Sequence, residues 1–123
     1  MKLRKFIKDV RETAEYRGKL EGKTIHDFLK DIEDELIELK NSIYLYNLTQ
    51  NISEIRLFED MANEGSQSGK ELFYSLYDLN VKNNIEDELA DIVITVFSVC
   101  EELGIDIVNH LKLKALYNKL RKD

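Results

Sequence analysis

The sequence predicts an all-α fold. Two observations point there: the 123 residues include no proline and only 5 glycines, and apolar residues recur at helical spacing in long stretches. The length supports one domain with a real core rather than two, so residues 1–123 are read as a single helical domain.

The elements follow in order. Leu3, Phe6, Ile7, Val10 and Ala14 place a first helix over about Leu3–Tyr16. Gly18 and Gly22 mark a break over residues 18–23. Thr24 with Asp27 three residues on is a capping box in which Asp replaces the usual Glu. The helix it opens carries a continuous stripe of Ile25, Phe28, Leu29, Ile32, Leu36, Leu39 and Ile43. Ile52, Ile55, Leu57, Phe58 and Met61 suggest a third helix. Residues 65–69, Gly-Ser-Gln-Ser-Gly, read as a flexible loop, and Leu72, Phe73, Leu76 and Tyr77 as a short fourth helix. Asn83 or Asn84 then caps the most apolar helix, reaching about Leu103, where Gly104 ends it. Apolar nearly all round, this helix is expected to be buried. Asp106 starts a last helix to about Arg121.

Net charge is −6, which argues against partnership with nucleic acid polymers or anionic membranes. No apolar run approaches a membrane span and the first 16 residues carry no signal-peptide core, so the expectation is a soluble, cytoplasmic protein. The single cysteine, Cys100, lies in the apolar helix and reads as a core residue.

Two helices carry an acidic pair at one-turn spacing: Glu35 with Glu38, and Glu88 with Asp91. Residues three apart share a helix face. If the two helices run antiparallel, four carboxylates converge, a donor set suited to a hard divalent cation such as Mg²⁺. The other reading of either pair alone is a solvated helix face. Against it, Glu35 is followed at three and four residues by Glu38 and Leu39, Glu88 by Asp91 and Ile92, and Asp91 by Ile94 and Thr95, so no local lysine or arginine offsets the repulsion. The apolar surroundings of Glu88 and Asp91 argue the same way, because a buried carboxylate needs compensation.

The last helix adds Lys114, Asn118 and Arg121 on one stripe with Tyr117 beside it, groups that can hold a polyphosphate and a sugar. Its alternative is a basic helix C-terminus matched to the helix dipole. Neither His26 nor His110 follows a glutamate by three residues, so the Glu-x-x-His signature of di-iron bundles is missing. There is no Walker-type glycine loop and no His-Glu-x-x-His motif.

Asp34-Glu35-Leu36-Ile37-Glu38 and Glu88-Leu89-Ala90-Asp91 together resemble the paired acidic motif, Glu-Glu-x-x-Glu then Glu-x-x-Asp, of the MazG-like all-α nucleoside triphosphate pyrophosphohydrolases. Leu103-Gly104-Ile105-Asp106, Lys114, Tyr117-Asn118 and Arg121 resemble that family's closing segment. The resemblance implies a helical bundle assembling as a homo-oligomer, a dimer or tetramer. Glu35, Glu38, Glu88 and Asp91 would be the ligands of Mg²⁺, with Mn²⁺ as a substitute, and Glu35 or Glu38 would serve the attacking water. Lys114, Tyr117, Asn118 and Arg121 would contact the nucleoside triphosphate. Two departures stand out. Asp34 replaces the first Glu of the motif, and residues 39–87 separate the motifs by more than the family's compact members do, which marks about 44–84 as a helical insertion. The expected activity is Mg²⁺-dependent hydrolysis of an NTP or dNTP to the monophosphate and pyrophosphate, in nucleotide-pool housecleaning. The alternative is a catalytically inactive helical oligomerisation or interaction module of the same fold.

Overall fold

The computed structural model describes residues 2–18, 20 and 22–122. The expected break over 18–23 thus falls partly outside the described residues, at 19 and 21. Among the described residues every regular element is helical: α1 (Leu3–Tyr16), α2 (Ile25–Leu45), α3 (Ile52–Leu57), α4 (Glu59–Asn63), α5 (Gln67–Asn80), α6 (Ile85–Glu102) and α7 (Ile107–Leu120). No described helix is long and apolar enough to cross a membrane. The chain divides into two compact units, Met1–Glu33 with Ile92–Asp123, and Asp34–Asp91.

In the first unit, Ile7 of α1 is fully buried, with Leu20, Phe28 and Cys100 also in the core. The Phe6 ring meets Phe97 edge-on at 6.5 Å, an aromatic geometry favoured beyond simple area burial. The capping box at the start of α2 forms as expected: the Thr24 N–H donates to Asp27 Oδ2 at 2.8 Å and the Asp27 N–H to Thr24 Oγ at 3.3 Å. Hydrogen bonds from the Thr24 backbone, and then its hydroxyl, hold the Asp27 carboxyl below the usual range. Gly104 stops α6 in the left-handed region, at φ 70°, which costs glycine nothing. Asp106 then caps α7, accepting from the Asn109 N–H at 3.3 Å and from Arg4 at 2.7 Å.

The second unit corrects two expectations. The third helix is two, α3 and α4, joined at Phe58. The stretch 65–69 is not a flexible loop, because Ser66 caps α5 by accepting the Gly69 N–H, and Gly69 is already inside the helix. The short fourth helix is accordingly 14 residues long. Gly69 is needed for close packing: a Cβ there would lie 2.5 Å from Met61 Cβ and 2.9 Å from the Met61 carbonyl carbon. Gly69→Ala is expected to destabilise the protein by about 1–3 kcal/mol, despite alanine's better helix propensity, because backbone must move to admit the methyl. Urea unfolding of the two proteins measures it.

Burial of α6 is also less than expected. Glu88, Ser98 and Cys100 are covered, but Leu89 and Val93 are each 47% exposed. On the α2 stripe Phe28 is buried, whereas Ile25, Leu29, Leu36 and Ile43 are half exposed or more, and α7 buries no residue. A helix that is apolar on several faces is stabilised when each is covered, and among the described residues these faces of α6 stay half exposed.

Candidate metal centre

The second unit brings the two acidic pairs together. One carboxylate oxygen from each of Glu35, Glu38, Glu88 and Asp91 lies within 4.8 Å of the other three. Glu88 is buried at 3% exposure, Glu35 and Asp91 are half-buried, and Glu38 is exposed. The site thus has a covered floor and one open edge.

Local hydrogen bonds set this geometry. The Ser42 hydroxyl, itself buried, lies one turn beyond Glu38, 3.1 Å from the Glu38 carbonyl and 2.9 Å from that of Asn83. The Ile85 N–H donates to the Asn47 carbonyl at 3.0 Å. The Thr49 N–H and hydroxyl both donate to Glu86 Oε2, at 2.9 and 2.8 Å. Glu38 of α2 meets Glu88 of α6, and Ser42, one turn later, meets Asn83 just before α6. Rising numbers on α2 therefore meet falling numbers toward the start of α6, the antiparallel order that convergence of the acids requires. The Asn47 and Thr49 bonds tie the turn after α2 to the first turn of α6. Asn84 caps α6: its carbonyl accepts the Glu88 N–H at 3.1 Å.

Tyr77 adds a further brace from α5. Its hydroxyl donates to Asp87 Oδ1, and the Asn83 N–H donates to Asp87 Oδ2 at 2.9 Å. Burial, the bond to Asp87, and the charges of Asp87, Asp91 and Glu88 push the phenol well above its usual range, so it remains a donor. Tyr77→Phe is expected to lower the unfolding free energy by about 1–2 kcal/mol, as a hydrogen bond to a charged acceptor is lost. Chemical denaturation checks it. Tyr77 and Ser42 were not among the site residues read from the sequence. Ser42 is legible in hindsight as the residue one turn past Glu38 on the same stripe, whereas nothing in the local pattern ties Tyr77 to Asp87.

Electrostatics singles out Glu88. Burial first, then a hydrogen bond with Glu38 and the charges of Glu38, Asp91 and Asp87, push its carboxyl up to about 7. Its Oε2 is buried with no hydrogen-bond partner. A covered carboxylate oxygen left unpaired is costly, and a divalent cation would satisfy it while offsetting the mutual repulsion of the four acids. The donor set is all oxygen, which fits Mg²⁺, Mn²⁺ or Ca²⁺ better than softer metals.

Lys114, Tyr117, Asn118 and Arg121 belong to the first unit. All four are exposed. Lys114 Nζ sits 4.8 Å from the centre of the Tyr117 ring, a cation–π contact that holds the two side chains together. α7 ends at Leu120, so Arg121 is its extended C-cap rather than part of the helical stripe.

Comparison with family models, with curated proteins and with solved structures finds no match to this chain.

Proposed function

We propose that the protein is a metal-dependent nucleoside triphosphate pyrophosphohydrolase of the MazG-like all-α type. The observation that carries this reading is the convergence of Glu35, Glu38, Glu88 and Asp91 within 4.8 Å around a buried, unpartnered Glu88 oxygen. These four residues would hold Mg²⁺, which when bound neutralises charge on the triphosphate. Glu38, on the open edge, or Glu35 beside it, would orient the attacking water and accept its proton. The water oxygen bonds to the α-phosphorus as the α–β bridging bond breaks, giving monophosphate and pyrophosphate. By the resemblance of the closing segment, Lys114 and Arg121 are the proposed phosphate contacts and Tyr117 and Asn118 the proposed contacts to the sugar or a further oxygen, a role that rests on the motif alone. The net charge of −6 disfavours a nucleic acid polymer as substrate.

The reading includes a homo-oligomer. Leu36, Ile37 and Ile43 in one unit and Leu113, Leu116 and Leu120 in the other are about half exposed or more, and apolar faces of this kind mark protein contacts. Sedimentation is expected to give a mass at least twice that of the 14.4 kDa chain.

The activity is tested by product analysis on a panel of NTPs and dNTPs. Monophosphate and pyrophosphate in equal amounts, only with Mg²⁺ or Mn²⁺, are the expected products. No turnover on any nucleotide would favour the inactive helical module.

A further inference from the structure

From the residues that wall a second cleft in the Asp34–Asp91 unit, we infer that this cleft is a nucleobase subsite, an inference that rests on the nucleotide reading of the acidic centre. The cleft, of about 480 Å³, is lined by Tyr46, Asn47, Gln50, Leu79, Asn80 and Asn84 among others, and none of its lining residues is charged. A site for phosphate or carboxylate would carry a cation, so the ligand part it takes is neutral. Side-chain amides offer a donor and an acceptor in one plane, which is what the edge of a nucleobase presents in return. The same lining includes the Tyr46 ring and Leu79, side chains on which a base can stack.

The cleft is held ready. The Asn84 amide donates to the Asn80 carbonyl at 2.7 Å and toward the Leu48 carbonyl at 3.4 Å, while the Asn80 amide donates to the Leu76 carbonyl and accepts from Asn51. These amides are spent on the walls. Asn47 and Gln50 are exposed, and their side chains take no part in those bonds. Tyr46 is in the left-handed region at φ 53° and keeps its side chain 74% exposed. An aromatic residue in that conformation is uncommon and costs free energy. Here the Tyr46 N–H on the Ile43 carbonyl, together with the Asn47 and Thr49 anchors to α6, holds the turn.

Register ties the cleft to the acids. Asn84, Glu88 and Asp91 fall on one face of α6, at spacings of four and seven residues, so the acids lie about 6 and 10 Å along the helix from the cleft wall. On α2, Glu35, Glu38 and Ser42 form the matching stripe, and Tyr46 continues it just past the helix end. A base between Tyr46 and the amides therefore leaves its sugar directed along the seam toward the four carboxylates. The insertion between the two motifs, through Gln50, Leu79 and Asn80, then selects the base.

The test uses the full-length chain and the Asn47→Ala/Gln50→Ala double variant, both positions being exposed. For the nucleotide the native protein prefers, the variant is expected to raise KM about tenfold or more with kcat little changed, and to level the preference among bases. Mn²⁺ binding should be unchanged. In parallel, millimolar adenosine, guanosine, cytidine and uridine are titrated into the native protein, and the side-chain amide resonances of Asn47 and Gln50 are followed by NMR. At least one nucleoside is expected to shift them saturably. Resonances unmoved by all four nucleosides, or a variant with unaltered KM and base preference, would overturn the subsite while leaving the hydrolase standing. Saturable shifts in a protein that hydrolyses no nucleotide would support the subsite and remove the hydrolase instead.

Discussion

Glu88→Gln is expected to raise the thermal midpoint of the metal-free protein and, at the same time, to reduce Mg²⁺-dependent turnover by about a hundredfold or more. The two effects have one cause. Glu88 is buried beside Glu38 and Asp91, with one oxygen unpartnered. Ionised, it is a desolvated charge among like charges. Glutamine keeps the shape, removes the charge and brings an N–H that can donate to Glu38. The fold gains what the metal loses. A carboxylate whose only task was structural would give the opposite sign, a lower midpoint on substitution. Calorimetry of both proteins in chelator, with kinetics in Mg²⁺, separates the two cases.

The second large effect is a pH dependence of stability. The folded-state pKa of Glu88, about 7, lies above the ordinary value of 4.5. Below about pH 4.5 the group is protonated in both states, and above about 7 it is ionised in both. Between these limits the native state binds more protons than the unfolded chain, so the Glu88 contribution to stability falls as pH rises. The loss is of order 3 kcal/mol across the window. It should be absent in Glu88→Gln. Saturating Mg²⁺ should reverse it, since binding requires the deprotonated carboxylate and adds stability by mass action. Urea unfolding at several pH values, with and without Mg²⁺, measures both.

Much of this arrangement is legible in the sequence because it is local. The spacing of Glu35 with Glu38 and of Glu88 with Asp91 is a property of single helices, as are the Thr24–Asp27 capping box and the Gly104 stop. Convergence of the pairs needed only one assumption, that α2 and α6 run antiparallel, and the pairing of Ser42 with Asn83 and of Glu38 with Glu88 realises it. What the sequence hides is contact between distant segments. Gly69 reads as a loop glycine from its neighbours, yet its role is set by Met61 lying against it. Tyr77 reads as a packing residue of a short helix, but its hydroxyl reaches Asp87. Apolarity also misleads about burial: the composition of α6 says that it wants cover, but whether residues such as Leu89 and Val93 receive it depends on what packs against each face, and that is not written in the helix's own sequence. The same residues led the sequence to a buried helix where the chain leaves them half exposed.

The most direct test of the central claim is a titration of the metal-free protein with Mn²⁺, followed by electron paramagnetic resonance. Free Mn²⁺ gives a sharp signal that coordination broadens, so bound and free ion are counted separately. The expected result is saturable binding to the native chain, competed by Mg²⁺, and weakened about tenfold or more in both Glu88→Gln and Asp91→Asn. Equal Mn²⁺ binding by the native protein and both variants, or no saturable binding at all, would contradict it.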